Sequence, residues 1–378
     1  MTVYLVVLMA LLNSIAQRGA KVAVSLYALD LGAGAAAVGV LAALFAVFPL
    51  LLAVPAGRVS DRYGVRMPIV LGGIAMAIGL LLPLTSAGLV ALFLCPTLLG
   101  LGHIYFHVSI HNLVGSLGEE ADRTKNFSTF ALGGSIAAFI GPTAAGFAIE
   151  LAGYRTAFVL LAAAALLPSL YLLLDRRRIP AQVHHEAQKK KAASPWELLA
   201  IPALRRTLIM SGVALTGIEL FSFYLPIYGR AIGLAPSTIG LILSSYALAG
   251  FVVRIVMHRL AQRFTELGVL TGSLFLAALA YLAVPGLSDA LLLAAAAFAL
   301  GLALGSAQPL TIILTYNYAP PGRSGEALGM RIMANKVTQI AVPLAFGGFG
   351  AAMGAGPVFL ATGVFLLAAG VISLRGGG

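Results

Sequence analysis

Charged residues are scarce in this chain, and their scarcity excludes a soluble globular fold. Only 10% of the 378 residues are charged and 60% are hydrophobic, whereas soluble domains carry about 25% charged residues. A water-facing surface cannot be built from this composition. A helix needs roughly 20 apolar residues to cross a bilayer, and the apolar segments here repeatedly reach that length. The sequence therefore predicts a multi-pass membrane protein.

Cysteine and carboxylates are also rare. The single cysteine, Cys95, lies inside an apolar segment, which excludes a disulfide within the chain and implies no thiol chemistry. Lys and Arg number 24 against 13 Asp and Glu, giving a net charge of +11. Because the basic residues cluster in short segments between apolar stretches, this excess indicates membrane topology, and no nucleic-acid partner is expected.

Glycine, proline and charge clusters divide the apolar sequence into twelve predicted helices. A polar stretch from Asp175 to about Ala203 separates a half spanning 1–174 from a half spanning 204–378, and its basic residues predict a cytoplasmic linker. The first apolar segment begins at Met1 and is expected to be retained as the first helix. The predicted ranges are about 3–29, 36–56, 67–86, 88–114, 127–150, 154–174, 204–229, 236–257, 267–285, 289–317, 326–350 and 355–374.

Loop charges predict the orientation of the chain. Alternate loops are basic, whereas the opposite set is short and nearly uncharged, so both termini are expected in the cytoplasm. A bacterial inner membrane is the expected location. The basic loops follow helices 2, 4, 8 and 10 and contain Arg62 and Arg66, Arg123 and Lys125, Arg259 and Arg263, and Arg323.

The segment 57–66, Gly-Arg-Val-Ser-Asp-Arg-Tyr-Gly-Val-Arg, is the most informative motif. It resembles the loop between helices 2 and 3 of the major facilitator superfamily of transporters. That resemblance implies an all-α membrane protein of two pseudo-symmetric six-helix bundles, moving a small solute by alternating access, often with protons. It also implies a gating role for this loop. The expected gating residues are Gly57, Asp61, Arg62, Gly64 and Arg66, joined by Arg254 near the cytoplasmic end of helix 8.

Two further segments resemble this superfamily in part. Residues 258–264 follow helix 8 as the first motif follows helix 2, without its glycines and aspartate. Gly141-Pro142 and Gly146 in helix 5 resemble the signature of proton-driven exporters, although Ala145 replaces one of its glycines. Efflux is therefore favoured over uptake.

Polar residues inside the apolar helices mark the candidate substrate site, because each charged group there costs about 2.5–3.5 kcal/mol on insertion scales. On helix 1, spacings of three and four predict that Asn13, Gln17, Arg18 and Lys21 share one face, together with Ser14 and Ser25. Six polar residues on one stripe are expected to line the transport cavity.

Helix 11 provides a similar polar face. Arg331, Asn335 and Gln339 lie four residues apart, with Lys336 beside them. Arg331 has an alternative interpretation, since it is close enough to the cytoplasmic end to reach the interface. Three weaker candidates for substrate contact are Tyr224, Gln308 and Thr311.

Helix 4 carries a row of three histidines, His103, His107 and His111. The spacing would allow imidazoles one turn apart to share a metal ion, yet no carboxylate or cysteine accompanies them. Neutral hydrogen-bonding groups, or groups that take a proton near neutral pH, are favoured, with packing as the remaining alternative. We expect His103 and His107 to contact substrate and His107 to take part in proton coupling.

Glu219 lies near the middle of helix 7 and is the one carboxylate predicted at that depth. Burial disfavours its charged form, whereas a nearby cation favours it. Two interpretations stay open: a proton-coupling group and a fixed ion pair.

Cations outnumber carboxylates in the predicted helices, which favours an organic anion or an acidic or zwitterionic metabolite as substrate. Three alternatives remain: a transition-metal transporter that uses the helix 4 histidines, a membrane-embedded enzyme, and a sensor without flux. The favoured expectation is a transporter and not an enzyme. It is expected to act as a monomer in the lipid bilayer, with no cofactor and no resident metal.

Overall fold

The computed structural model describes residues 3–85, 89–117, 123–174, 195–320 and 324–375, and long α-helices account for most of them. One continuous helical stretch, Arg123–Leu174, is divided by Gly153, whose φ of 77° no helix contains. We label its two parts α5 (123–152) and α6 (154–174). The other helices are α1 Val3–Asp30, α2 Ala35–Tyr63, α3 Arg66–Leu81, α4 Leu89–Ser116, α7 Pro202–Ala231, α8 Pro236–Phe264, α9 Glu266–Ala283, α10 Ala290–Tyr318, α11 Ser324–Met353 and α12 Ala355–Arg375.

The predicted set of twelve helices is confirmed within these described ranges. Ten helical stretches in these ranges are long and apolar enough to cross a membrane, when α5 and α6 are counted as one stretch. α11 is outside that set, because Lys336 and Gln339 lower its hydropathy. The predicted linker up to residue 194 and Arg323 lie outside the described residues, as do the side chains of Arg123 and Lys125.

The predicted loop after α2 is much shorter than the sequence indicated. α2 continues to Tyr63, so Gly57, Asp61 and Arg62 are helical residues and not loop residues. Gly64 alone makes the turn, because its φ of 78° reverses the chain in a conformation that suits only glycine.

The chain forms two compact units. The first contains Met1–Ala187 together with Ala235–Ser244, and the second contains Gln188–Leu234 and Ser245–Gly378. The start of α8 therefore belongs to the first unit, whereas the sequence assigned all of α8 to the second half. Close packing on α5 explains the difference: a Cβ on Gly240 would lie 2.6 Å from the carbonyl oxygen of Pro142, and Ser244 donates a hydrogen bond to the carbonyl oxygen of Phe139 at 2.7 Å.

Each unit has its own buried core. In the first unit, Val65, Ile69, Phe106 and Leu113 belong to an apolar cluster that joins the start of α3 to the end of α4. In the second unit, Tyr281 is fully buried, packs on Phe359 and donates its hydroxyl to the carbonyl oxygen of Gly217. A polar tip satisfied inside an apolar cluster fixes how α7, α9 and α12 pack.

Two glycines allow the backbones of α3 and α4 to approach closely. A Cβ on Gly72 would lie 2.5 Å from the carbonyl oxygen of Gly102, so neither helix can accept a side chain there. We expect Gly72→Ala to lower the free energy of unfolding by about 1–3 kcal/mol, measured as a lower melting temperature of the detergent-solubilised protein.

Gly134 provides the matched control for that substitution. It also lies inside a helix, and no described atom comes within 4 Å of a Cβ built on it. Gly134→Ala should leave the melting temperature unchanged or raise it, since alanine is favoured over glycine in helices by about 0.5–1 kcal/mol. Equal melting temperatures for Gly72→Ala and wild type would contradict the close approach.

Candidate functional site

Asn13 is the centre of a buried polar cluster in the first unit. Its side chain is 1% exposed. The side-chain amide donates to the sulfur of Met76 at 3.1 Å, and its Oδ1 lies 3.1 Å from Nδ1 of His103. α1 is thereby joined to α3 and α4 through one side chain. The contact with Met76 has no signal in the sequence, because thioether acceptors are indistinguishable there from packing residues.

The predicted polar stripe on α1 divides into two environments. Gln17 is buried, and its Oε1 has no hydrogen-bond partner among the described residues. Arg18, one residue later, is exposed, and Lys21 is half-buried. The Cβ of Arg18 packs against Gly141 of α5. Successive residues point about 100° apart on a helix, which explains how the amide faces the interior while the guanidinium lies at the surface of the unit.

The histidine row of α4 brings three rings next to each other in tilted arrangements. The ring centroids of His103 and His107 are 5.1 Å apart, and those of His107 and His111 are 4.2 Å apart. Nδ1 of His111 lies 2.7 Å from the carbonyl oxygen of His107, and Phe130 packs edge-on against the His111 ring. In the described part of the chain, no group of three His, Cys, Asp or Glu side chains is arranged to hold a metal ion. The geometry favours hydrogen bonding and packing.

Arg331 is the most deeply buried cation of the second unit's described residues. It is 5% exposed, so protein encloses its side chain, and the alternative position at the interface stays a prediction. Its Nε and Nη2 donate to the hydroxyl of Thr311 at 3.2 and 2.9 Å. Nη2 also donates to the backbone and side-chain oxygens of Gln308. All of these acceptors are neutral, so they orient the guanidinium without neutralising its charge.

A second polar connection in this unit contains Glu219. The side-chain amide of Gln339 donates to Oε1 of Glu219 at 3.2 Å, and its oxygen accepts a hydrogen bond from Nζ of Lys336 at 2.9 Å. One neutral amide therefore links the carboxylate of α7 to the ammonium of α11. Glu219 is half-buried, which leaves it accessible to water or a small solute.

Asn335, on the predicted α11 face, contacts a residue that the sequence did not single out. The hydroxyl of Ser211 donates to Oδ1 of Asn335 at 3.0 Å. Serines are frequent in membrane helices as packing residues, and Ser211 has no periodic partner that would mark it. Only the packing of α7 on α11 identifies it.

Tyr224 and Arg254 differ from the other candidates. Tyr224 is fully buried, donates its hydroxyl to the carbonyl oxygen of Phe346 and packs edge-on against Phe359. The side chain of Tyr224 therefore belongs to the core of the second unit. Its contact with substrate stays a prediction. Arg254 is exposed on α8, with its Nε 3.4 Å from the carbonyl oxygen of Gly305.

The motif at the end of α2 supplies helix contacts within the first unit. Arg66 donates a hydrogen bond to the carbonyl oxygen of Leu172, near the end of α6. Asn112 donates to the hydroxyl of Ser60 at 3.0 Å, and the guanidinium of Arg62 lies 5.4 Å from the ring centroid of Tyr63. The side chain of Asp61 lies outside the described part. Gating by these residues stays a prediction.

The model of one protein family matches nearly the whole chain, over residues 6–234 and 207–376. Its description is the Major Facilitator Superfamily. The chain belongs to this superfamily. It is therefore an integral, multi-pass membrane transporter and not an enzyme, as the sequence predicted.

Solved structures confirm the fold of this superfamily member. A crystal structure of a variant of the nucleoside transporter NupG superposes with a TM-score of 0.85 at 14% identity, covering 99% of both chains. A POT family transporter in complex with 5-aminolevulinic acid gives 0.83 at 14% identity, covering 99% of this chain and 95% of the other. At these identities the likeness concerns the fold.

One curated relative is more similar in sequence. Multidrug resistance protein 1 of Bacillus subtilis (strain 168) is 25% identical over 248 residues. The match spans 64% of this chain and 62% of the relative, less than two thirds of that protein's length.

Proposed function

We propose that this superfamily member is a secondary transporter that exports a small organic anion, or an acidic or zwitterionic metabolite, by alternating access coupled to protons. The observation that carries the substrate class is Arg331, whose buried guanidinium is bound by neutral oxygens. Taking a charge out of water costs several kcal/mol. A carboxylate or phosphate of the solute would offset that cost when it binds.

The surroundings of Arg331 support an anion over a cation. Arg331 and Lys336 both lie on α11. Glu219 is linked to Lys336 through the side chain of Gln339. Two cations against one carboxylate produce a positive potential, which is strong in a low-dielectric setting and repels metal ions and cationic drugs. Arg18 and Lys21 add positive charge in the first unit.

Glu219 supports proton coupling. A half-buried carboxylate that is linked through Gln339 to Lys336 is suited to binding and releasing a proton as the cavity opens to either side of the membrane. His107 is the second candidate for this role, because its ring lies between two other imidazoles. The name of the Bacillus subtilis relative supports export over uptake.

The substrate class is tested by a thermal-shift screen on the purified protein, followed by flux in liposomes. Ligands that bind the native state stabilise it by about 2.7 kcal/mol at a hundredfold excess over Kd, so organic anions should raise the melting temperature while matched cations and neutral analogues should not. The stabilising anions should then move across liposome membranes when a pH gradient is imposed. Stabilisation by cations alone would overturn the substrate class, and binding without flux would favour a sensor.

A transition-metal cargo is the second candidate, and the same screen addresses it. The histidine row gives it limited support, since no three His, Cys, Asp or Glu side chains among the described residues are arranged to hold a metal ion. Zinc, iron or manganese that stabilised the wild type but not His107→Ala would favour this candidate over the anion.

A further inference from the structure

A crevice in the second unit lies apart from the polar cluster described above. Its volume is about 310 Å³, and its walls come mainly from α7 and α12, including Met210, Val213, Phe365 and Ile372. Arg206 and Tyr318 also line it. These two residues lie near the start of α7 and at the end of α10, so they mark one end of the crevice.

The shape of the crevice suits a chain that lies along the helices. Arg206 and Val213 both line it, and seven residues correspond to about 10 Å of rise on an α-helix. A volume of this size is typical of small-molecule sites, which cover about 300–1,000 Å³. The crevice is thus long enough for the first part of an acyl chain that enters from one membrane surface.

Two hydroxyl groups in the walls, those of Thr207 and Ser373, have hydrogen-bond partners within the protein. The hydroxyl of Thr207 donates to the carbonyl oxygen of Ala203 at 2.9 Å, and the hydroxyls of Ser373 and Thr271 are 2.6 Å apart. A buried polar group that already has a hydrogen-bond partner does not need one from a bound ligand. The walls therefore present apolar surface, which favours hydrocarbon over a polar solute.

The end of the crevice is positively charged. Arg206 is exposed there, and Arg205 precedes it. The start of α7 adds the positive end of a helix dipole, and its N-cap residue, Ile201, makes no side-chain cap. The basic linker before α7 predicts that this end faces the cytoplasm, where the leaflet contains anionic lipids.

We propose that this crevice binds an anionic phospholipid of the cytoplasmic leaflet, with one acyl chain against Met210, Val213 and Phe365 and the phosphate on Arg206. The combination of apolar walls and a single charged end matches the two parts of such a lipid. The proposal does not depend on which solute the protein transports.

A fluorescent reporter in the crevice tests this proposal on the full-length protein in liposomes. Trp196 is the only tryptophan of the chain, so the double variant Trp196→Phe, Tyr318→Trp has one indole, located in the crevice lining. Phosphatidylglycerol with brominated acyl chains should quench it at a several-fold lower mole fraction than brominated phosphatidylcholine. Equal quenching by the two lipids would reduce the crevice to an ordinary lipid contact and overturn the proposal.

Three variants of the reporter separate the headgroup from the chain. Arg206→Ala should remove the preference for phosphatidylglycerol, whereas Arg205→Ala, with the same change in charge at a residue outside the crevice lining, should keep most of it. Ala369→Phe fills the crevice and should weaken quenching by both lipids. A preference that survives in Arg206→Ala, or quenching unchanged in Ala369→Phe, would contradict the assigned headgroup or the assigned chain. Melting temperatures near that of the reporter confirm that each variant is folded.

Discussion

Glu219→Gln is expected to lower pH-gradient-driven transport by at least about tenfold while leaving substrate affinity within about twofold. Glutamine keeps the shape of the side chain and an oxygen that can accept the hydrogen bond from Gln339, but it cannot bind and release a proton. The variant therefore resembles the permanently protonated state. The measurement compares accumulation in liposomes under an imposed pH gradient with substrate exchange in the absence of a gradient.

Exchange should persist in Glu219→Gln, because it requires the site to move between the two membrane sides without net proton transfer. Glu266→Gln is the matched control: Glu266 lies in the first turn of α9, and its loss should cost only the small dipole interaction of an exposed helix end. If Glu219→Gln accumulated substrate as wild type does, the carboxylate would be part of a fixed ion pair and the coupling role would be wrong. If exchange also disappeared, Glu219 would be required for binding or movement.

The twelve-helix fold was predictable because lipid imposes a simple rule on the sequence. Each helix needs a long apolar run, and the breaks at glycine, proline and charge are visible without tertiary information. The detail that failed depends on a single backbone torsion: Gly64 makes a turn so tight that α2 extends to Tyr63. The division between α5 and α6 at Gly153 agrees with the predicted break.

The candidate site was predictable only where its residues repeat along one helix. The spacing of Arg331, Asn335 and Gln339 is enough to indicate a shared face, because residues four apart lie one helical turn from each other. Gln308 and Thr311 accept hydrogen bonds from Arg331 because α10 packs on α11. The spacing of residues along one helix contains no information about that packing. On α1 the spacing does not report burial: Gln17 is buried, whereas Arg18, the next residue, is exposed.

Arg331→Gln is expected to weaken anion binding by about 10–100-fold, since a hydrogen bond to a charged group contributes about 1.5–3 kcal/mol. Gln308 and Thr311 fix the direction of the guanidinium, so the cost of orienting it is met before the solute arrives. Arg331→Lys keeps the charge without the planar fork and should recover only part of the affinity. Isothermal titration with a stabilising anion from the screen measures both losses.

The same substitution also removes the hydrogen bonds that Gln308 and Thr311 accept, so a lower melting temperature is expected and by itself proves nothing about the solute. Affinity at a temperature where each variant is folded separates the two effects. Arg230→Gln is the charge control, because Arg230 is exposed in the last turn of α7 and its loss should change affinity by less than about twofold. Arg331→Gln with a lowered melting temperature but wild-type affinity would make the guanidinium a structural link between α10 and α11, and the anion would then have to be bound elsewhere.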